Sequence, residues 1–248
     1  LFVDGRYTIQ AKKQAGKNFK IFEIPLVWPR NLFGSSKYKF NIGFDPKLFT
    51  YNSLINYFSN TCNLSPINED LFNNKRNENL NKNKFYKLDE KITGESSKSK
   101  INRVIKILNK KKIDYLFVSA GENVCWLMNI RGKDLPNSPI ANCNIILTKD
   151  RKIYFFSKFN KISKIKKKFI NQKILFYEEE ELFKILRSIK PGSFCIDKQT
   201  CSIFNEEIIK SKFIIKERTD FIYYLKSIKN KTEIKNMMKA HIEDGVAL

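Results

Sequence analysis

The chain is short of the residues that build self-contained metal or nucleophile centres: it has one histidine, His241, and no Cys-x-x-Cys pair among cysteines 62, 125, 143, 195 and 201. A zinc site of clustered thiolates and imidazoles is thereby excluded. The odd cysteine number, and the apolar neighbours of Cys125, Cys143 and Cys195, fit small buried hydrophobes in a reducing compartment, so a cytoplasmic location is expected. No apolar run approaches the roughly 18 residues a membrane helix needs, and no membrane partner is expected. The start carries no basic, apolar and small-residue series of a secretory signal. A phosphate loop is missing too: Gly94-Glu95-Ser96-Ser97-Lys98-Ser99-Lys100 lacks the second glycine and a clear leading strand, so it reads as a helix cap.

Acidic residues are also scarce, 25 against 47 Lys plus Arg, for a net charge of +22. Such a balance draws polyanions. Yet only eight of the 47 are arginine, and the excess lysine comes with abundant Asn, Ile and Phe, the set expected from codons rich in A and T. The lysines are scattered, with one local run from Lys161 to Lys168. A groove reader places arginines at chosen positions with exposed rings between them. The charge is therefore assigned to solvated faces, with no specific nucleic-acid partner, and a basic nucleic-acid-binding module is kept as the distant alternative.

With 248 residues, 42% of them hydrophobic, the chain can bury substantial cores in one to two domains. Its pattern alternates α and β. Strands are expected over Leu1–Asp4 and Tyr7–Gln10 about a turn at Gly5, then over Phe19–Ile24 and Asn41–Phe44. Trp28-Pro29-Arg30 is expected to begin a loop, and Thr50–Phe58 has helix spacing. Asn73–Lys87, rich in Asn, Lys and Glu, reads as a connection between domains. Beyond it Ser96 or Ser97 can cap a helix whose Ile101, Val104, Ile105 and Leu108 share one face. Tyr115–Ser119 follows as a buried strand, and Asn144–Leu147 with Ile153–Ser157 as a hairpin about Lys149-Asp150. Strand Ile174–Tyr177, helix Glu179–Ile189, strand Ser193–Ile196 and helix Ser202–Ser211 continue the alternation. Helices are expected to cover a mixed sheet.

The stretch Asn123–Asn144 is the most distinctive. Trp126, Leu127, Met128 and Ile130 form an apolar block, Arg131-Gly132-Lys133-Asp134 breaks it, and Pro136 and Pro139 hold an extended loop before Ile140. This stretch resembles the middle domain of the Xaa-Pro aminopeptidases, three-domain members of the creatinase and prolidase-like metallopeptidases. Leu1–Ala11, Gly43-Phe44-Asp45-Pro46, Leu64–Phe72, Gly94–Ser97 and Lys231–Leu248 resemble further blocks in the family's order.

The resemblance implies two creatinase N-terminal-like domains of ribonuclease H-like design, each a six-stranded mixed sheet flanked by helices, plus the first helix of a pita-bread catalytic domain. Residues 1–72 would be the end of domain I, 73–93 a linker, 94–228 domain II and 229–248 the catalytic start. In the family the catalytic domain holds two divalent metals, commonly manganese, and a metal-bound water attacks the bond before proline. This chain would bind no metal itself. It would shape access for a proline-containing peptide and contribute to a homodimer, and a non-peptidase creatinase-like relative is the alternative. A fragment is also expected from the ends. The chain opens on Leu1 inside an apolar segment, and Ile234, Met238, Ile242 and Val246 repeat every four residues with no polar stop before Leu248.

Trp126 and Arg131 are the candidate access or interface residues, because an arginine beside a buried ring can stack on it or clamp a carboxylate. Their structural role, holding the loop Gly132–Pro139, is weighed above that. His241, one turn after Met237, reads as a packing or interface residue. Glu178–Glu181 reads as support for a helix start rather than as a metal site. No catalytic residue is assigned.

Overall fold

The computed structural model describes residues 1–58, 62–67, 83–169 and 173–248. The chain divides into two compact units, Leu1–Arg76 and Asn77–Leu248. Residues 68–82, which hold the first ten residues of the expected 73–93 linker and the end of the Leu64–Phe72 block, lie outside the described residues. No helix among the described residues is long and apolar enough to cross a membrane.

The first unit runs β1 (Phe2–Asp4), α1 (Thr8–Gln14), β2 (Phe22–Ile24), α2 (Pro29–Gly34), β3 (Phe40–Phe44), α3 (Tyr51–Phe58) and β4 (Cys62–Pro66). Its described strands form two parallel pairs, β1 with β2 and β3 with β4. This corrects the strand expected over Tyr7–Gln10. A tight return at Gly5 would give an antiparallel hairpin, whereas a parallel pair needs a crossover, and α1 supplies it. Asp4 starts that crossover by accepting the Arg6 N–H at 2.9 Å and pairing with its guanidinium at 2.7 Å, so Gly5–Tyr7 wind into a 3-10 turn. The Phe2 and Phe22 rings then stack 5.3 Å apart. The loop expected at Trp28 is also helical, since Pro29 stands at the first helical position, where its fixed φ and missing N–H cost nothing. Ala11, Leu54 and Cys62 are buried here, and Phe33 packs on Phe40 and Phe58.

The second unit holds β5 (Tyr86–Lys87), α4 (Glu90–Thr93), α5 (Ser97–Lys110), β6 (Tyr115–Val118), α6 (Gly121–Met128), β7 (Ile130–Arg131), β8 (Asn144–Thr148) and β9 (Ile153–Phe156). It continues with α7 (Phe159–Lys166), β10 (Ile174–Tyr177), α8 (Leu182–Ser188), β11 (Ser193–Ile196), α9 (Ile203–Lys210), β12 (Ile214–Glu217), α10 (Phe221–Ser227) and α11 (Lys231–Ala247). Six strands form one mixed sheet in the order β10-β9-β8-β6-β11-β12. β8 is antiparallel to β6 and β9, and the other neighbours are parallel. This is the expected mixed sheet with helices on its faces.

The strand period of two explains the two cores. Leu116 and Val118 point to one face, where Val104, Leu108, Ile145, Leu147 and Phe155 are buried; Phe117 points to the other, with Ile146, Phe156, Leu186, Phe194 and Ile209. Because both faces are covered, β6 and β9 read as unbroken apolar runs instead of alternating ones. Residues 83–93, at the end of the expected linker, lie against this unit. Phe85 is fully buried, and Tyr86–Lys87 pair antiparallel with Arg131–Ile130.

Phe155→Ala should cost about 3–5 kcal/mol of unfolding free energy in urea titrations, because it empties a closed volume under the sheet. Phe183→Ala, at a ring 42% exposed, should stay within about 0.5 kcal/mol.

Candidate functional site

One group of polar residues in the second unit converges where α4, α5, α6 and α11 meet. α6 ends at Asn129, whose φ of 54° is the left-handed conformation that asparagine tolerates and that turns the chain sharply into β7. The turn aims the Asn129 amide into the protein, where it is 1% exposed. Its Nδ2 donates to the Glu95 carbonyl at 2.8 Å and its Oδ1 accepts from Lys100 Nζ at 2.7 Å. Lys100 Nζ also donates to the Trp126 carbonyl at 3.1 Å and lies 4.3 Å from the Trp126 ring centroid. An ammonium at 1% exposure is thus solvated by two amide oxygens and an aromatic face instead of water. Burial brings its pKa down from 10.5 to about 8, against the pull of Glu233 and Glu95, and Arg131 and Arg103 push in the same downward direction.

The other side of Trp126 holds α11. Its Nε1 donates to Glu233 Oε1 at 3.1 Å, and the second Glu233 oxygen accepts from the Asn230 N–H at 2.9 Å. Asn230 returns the bond, Oδ1 accepting from Glu233 N at 2.9 Å, so the pair closes a capping box on the first turn of α11. Asn230 Nδ2 then reaches the Thr93 carbonyl and Asn236 Nδ2 the Ile92 carbonyl, both at 2.9 Å. Gly94 makes this approach possible: it has φ 70°, and a Cβ there would stand 2.4 Å from Asn230 Oδ1. Arg103 pairs with Glu95 at 2.9 Å and completes the ring of contacts.

Arg131 faces its own backbone. Nη1 donates to the carbonyls of Ile130 at 2.8 Å and Cys125 at 3.2 Å, which fastens the end of α6 to the start of the loop. The loop itself is pinned by Asp134, which accepts the Asn142 N–H at 2.7 Å, pairs with Lys161 and has a side chain 6% exposed. Gly132 and Gly121 both run against Ala141, where a Cβ would meet backbone atoms at 2.7 and 2.8 Å. Trp126 and Arg131 are therefore on neighbouring parts of one turn but make separate contacts. Trp126 serves α5 and α11; Arg131 serves the loop.

Of the remaining sequence candidates, only the Gly94–Lys100 segment takes a polar part in this joint, through Glu95 and Lys100. His241 is exposed on α11. Glu178 and Glu181 close a cap, Glu181 Oε2 accepting from Glu178 N at 3.0 Å, while Glu178 Oε1 accepts from Phe159 N at 2.9 Å. Ser96 caps α5 by accepting from Ser99 N at 3.1 Å, the role expected for the Gly94–Lys100 segment. Among the described residues, no group of three or more His, Cys, Asp or Glu side chains could hold a metal ion. The arrangement positions helices and offers no acid–base pair or nucleophile aimed at a substrate.

Lys100 gives the joint a defined pH response. Between about 8 and 10.5 the unfolded chain binds the Lys100 proton and the folded chain has released it, so stability rises with pH through this window. The cost of burying the charge is fully present below about 8 and gone above 10.5. Lys100→Met should remove this rise from unfolding free energies measured across the window. Parallel pH profiles of the two proteins would contradict the assignment.

The match to known proteins covers the same ground. The family model described as "Creatinase/Prolidase N-terminal domain" matches residues 76–233. Xaa-Pro aminopeptidase 1 of Dictyostelium discoideum is 28% identical over 269 aligned positions, covering all of this chain and 42% of the relative. Xaa-Pro aminopeptidase ApepP of Drosophila melanogaster is 29% identical over 268 positions, covering all of this chain and 43% of the relative. The chain thus spans about two fifths of the length of these curated relatives. A solved X-prolyl aminopeptidase from Caenorhabditis elegans, described as a cytosolic enzyme with a di-nuclear active site, superposes with a TM-score of 0.83 at 23% identity, over 98% of this chain and 42% of that one. That likeness establishes the fold. With the family model matched across most of the described second unit, its six-stranded sheet and the turn that carries Trp126, the chain belongs to the creatinase/prolidase N-terminal domain family.

Proposed function

We propose that this chain is the N-terminal, non-catalytic portion of a metal-dependent Xaa-Pro aminopeptidase, which releases the residue preceding proline from the start of a peptide. The observation that carries the proposal is similarity along the whole chain to relatives named Xaa-Pro aminopeptidases, each more than twice its length. Residues 1–72 form the end of domain I, 94–228 domain II and 229–248 the start of the catalytic domain, with 73–93 as the connecting segment. The chemistry belongs to two divalent ions, manganese in this proposal, held by residues outside this chain. The complete protein acts in the cytoplasm as a homodimer.

In that setting the joint has a purpose. α11 leaves domain II at an angle set by Trp126, Asn230 and Asn236, while Ile234, Met238, Ile242 and Val246 remain exposed along it. A catalytic domain that packs on this stripe inherits the orientation of α11. The loop Gly132–Pro139, fixed by Arg131 and Asp134, walls the approach of the peptide or meets the second subunit. Its contribution is to selectivity and assembly rather than to bond cleavage.

The purified chain with added manganese should leave Xaa-Pro peptides intact, whereas the complete protein should cleave them; cleavage by the chain alone would overturn the division of labour. Arg131→Ala in the complete protein should raise KM for the peptide or weaken the dimer by about tenfold. An unchanged KM together with an unchanged dimer would remove the loop from the account.

A further inference from the structure

A second surface lies apart from the joint, where the end of α5, the end of β12 and the start of α10 enclose a groove of about 530 Å³. Its floor is apolar: Ile107 and Phe221 are half-buried against the core, and Tyr224 is 69% exposed. Lys110, Lys111 and Arg218 stand around it. The acid of the lining, Glu217, is already engaged by Lys198 at 2.5 Å. Among the described residues the three cations form no ion pair, and Lys111 Nζ is 5.8 Å from the Phe221 ring centroid. An apolar floor with an uncompensated positive rim is complementary to an apolar side chain flanked by carboxylates.

We infer that this groove docks an acidic segment of a partner protein, with one aromatic or aliphatic side chain seated on Ile107, Phe221 and Tyr224. The carboxylates on either side of that anchor lie among Lys110, Lys111 and Arg218. The rim selects this occupant over a two-fold contact of this groove with a second copy, because Lys110, Lys111 and Arg218 would then face their own equivalents. It also selects it over single-stranded nucleic acid, which needs a track of cations and successive stacking rings rather than three cations around one pocket. Exposed pairs at the rim steer the partner and add little each; the anchor sets the affinity.

The test uses the 248-residue chain and three fluorescent probes: Asp-Glu-Asp-Phe-Glu-Asp-Glu, the same peptide with serine in place of phenylalanine, and an oligothymidylate of equal charge. By anisotropy the phenylalanine peptide should bind about tenfold tighter than the serine peptide. Tyr224→Ala should erase that difference with the melting temperature unchanged, since its ring is mostly exposed. Lys110→Glu with Lys111→Glu should weaken both peptides, most at low salt. Equal binding of the two peptides, retention of the tenfold preference in Tyr224→Ala, tighter binding of the oligothymidylate, or no binding of the phenylalanine peptide would each overturn the inference.

Discussion

The second unit depends on how one buried ammonium is solvated. Lys100 sits on α5 at 1% exposure, and its charge is tolerable only because the Trp126 carbonyl, the Asn129 amide and the Trp126 ring surround it. Each partner is thereby constrained. Asn129 must adopt its left-handed turn to present its oxygen, so α6 must stop there and β7 must begin. Trp126 must show its face to α5, which leaves its indole N–H directed at Glu233 on α11. Removing the lysine while keeping the amide would leave buried polar atoms unpaired, a larger loss than the net worth of one hydrogen bond. The charge thus links helix packing on the sheet to the direction in which α11 leaves it.

The sheet provides the rigidity that such a linkage needs. With both faces buried, strands β6, β8 and β9 cannot slip by one residue without moving an apolar row into the wrong core. α5 and α6 pack on one face of that platform and carry Lys100 and Trp126 with them. A domain whose polar interior serves orientation suits the role proposed for it. It holds the first turn of α11 and fixes the loop Gly132–Pro139.

Much of this was legible in the sequence where the burial pattern is simple. The stripe Ile101, Val104, Ile105 and Leu108, the hairpin across Lys149-Asp150 and the cap at Ser96 all lie in the second unit as their spacing implies. Trp126 and Arg131 stand out in the sequence, but their partners do not. Glu233 is 107 positions from Trp126 and Asn129 is 29 from Lys100, and no local pattern links such pairs. One signal was present: Lys100 precedes Val104 by one helical turn and so shares the apolar face of α5, where a lysine demands a buried partner. α6 shows no helical period in the sequence because it is buried nearly all round, and in α7 the lysine run hides Ile162 and Ile165. At Gly5 the sequence suggests a hairpin where the chain makes a crossover, because a three-residue strand gives no hint of whether its neighbour is parallel.

The Trp126–Glu233 hydrogen bond couples α6 to α11, so that both move as one piece of the second unit. A double-mutant cycle with Trp126→Phe and Glu233→Gln, read by urea unfolding, tests it most directly. The coupling energy should be about 1–2 kcal/mol, with faster hydrogen exchange in the first turns of α11 in either variant. Additive effects within about 0.3 kcal/mol, with α11 exchange unchanged, would contradict it.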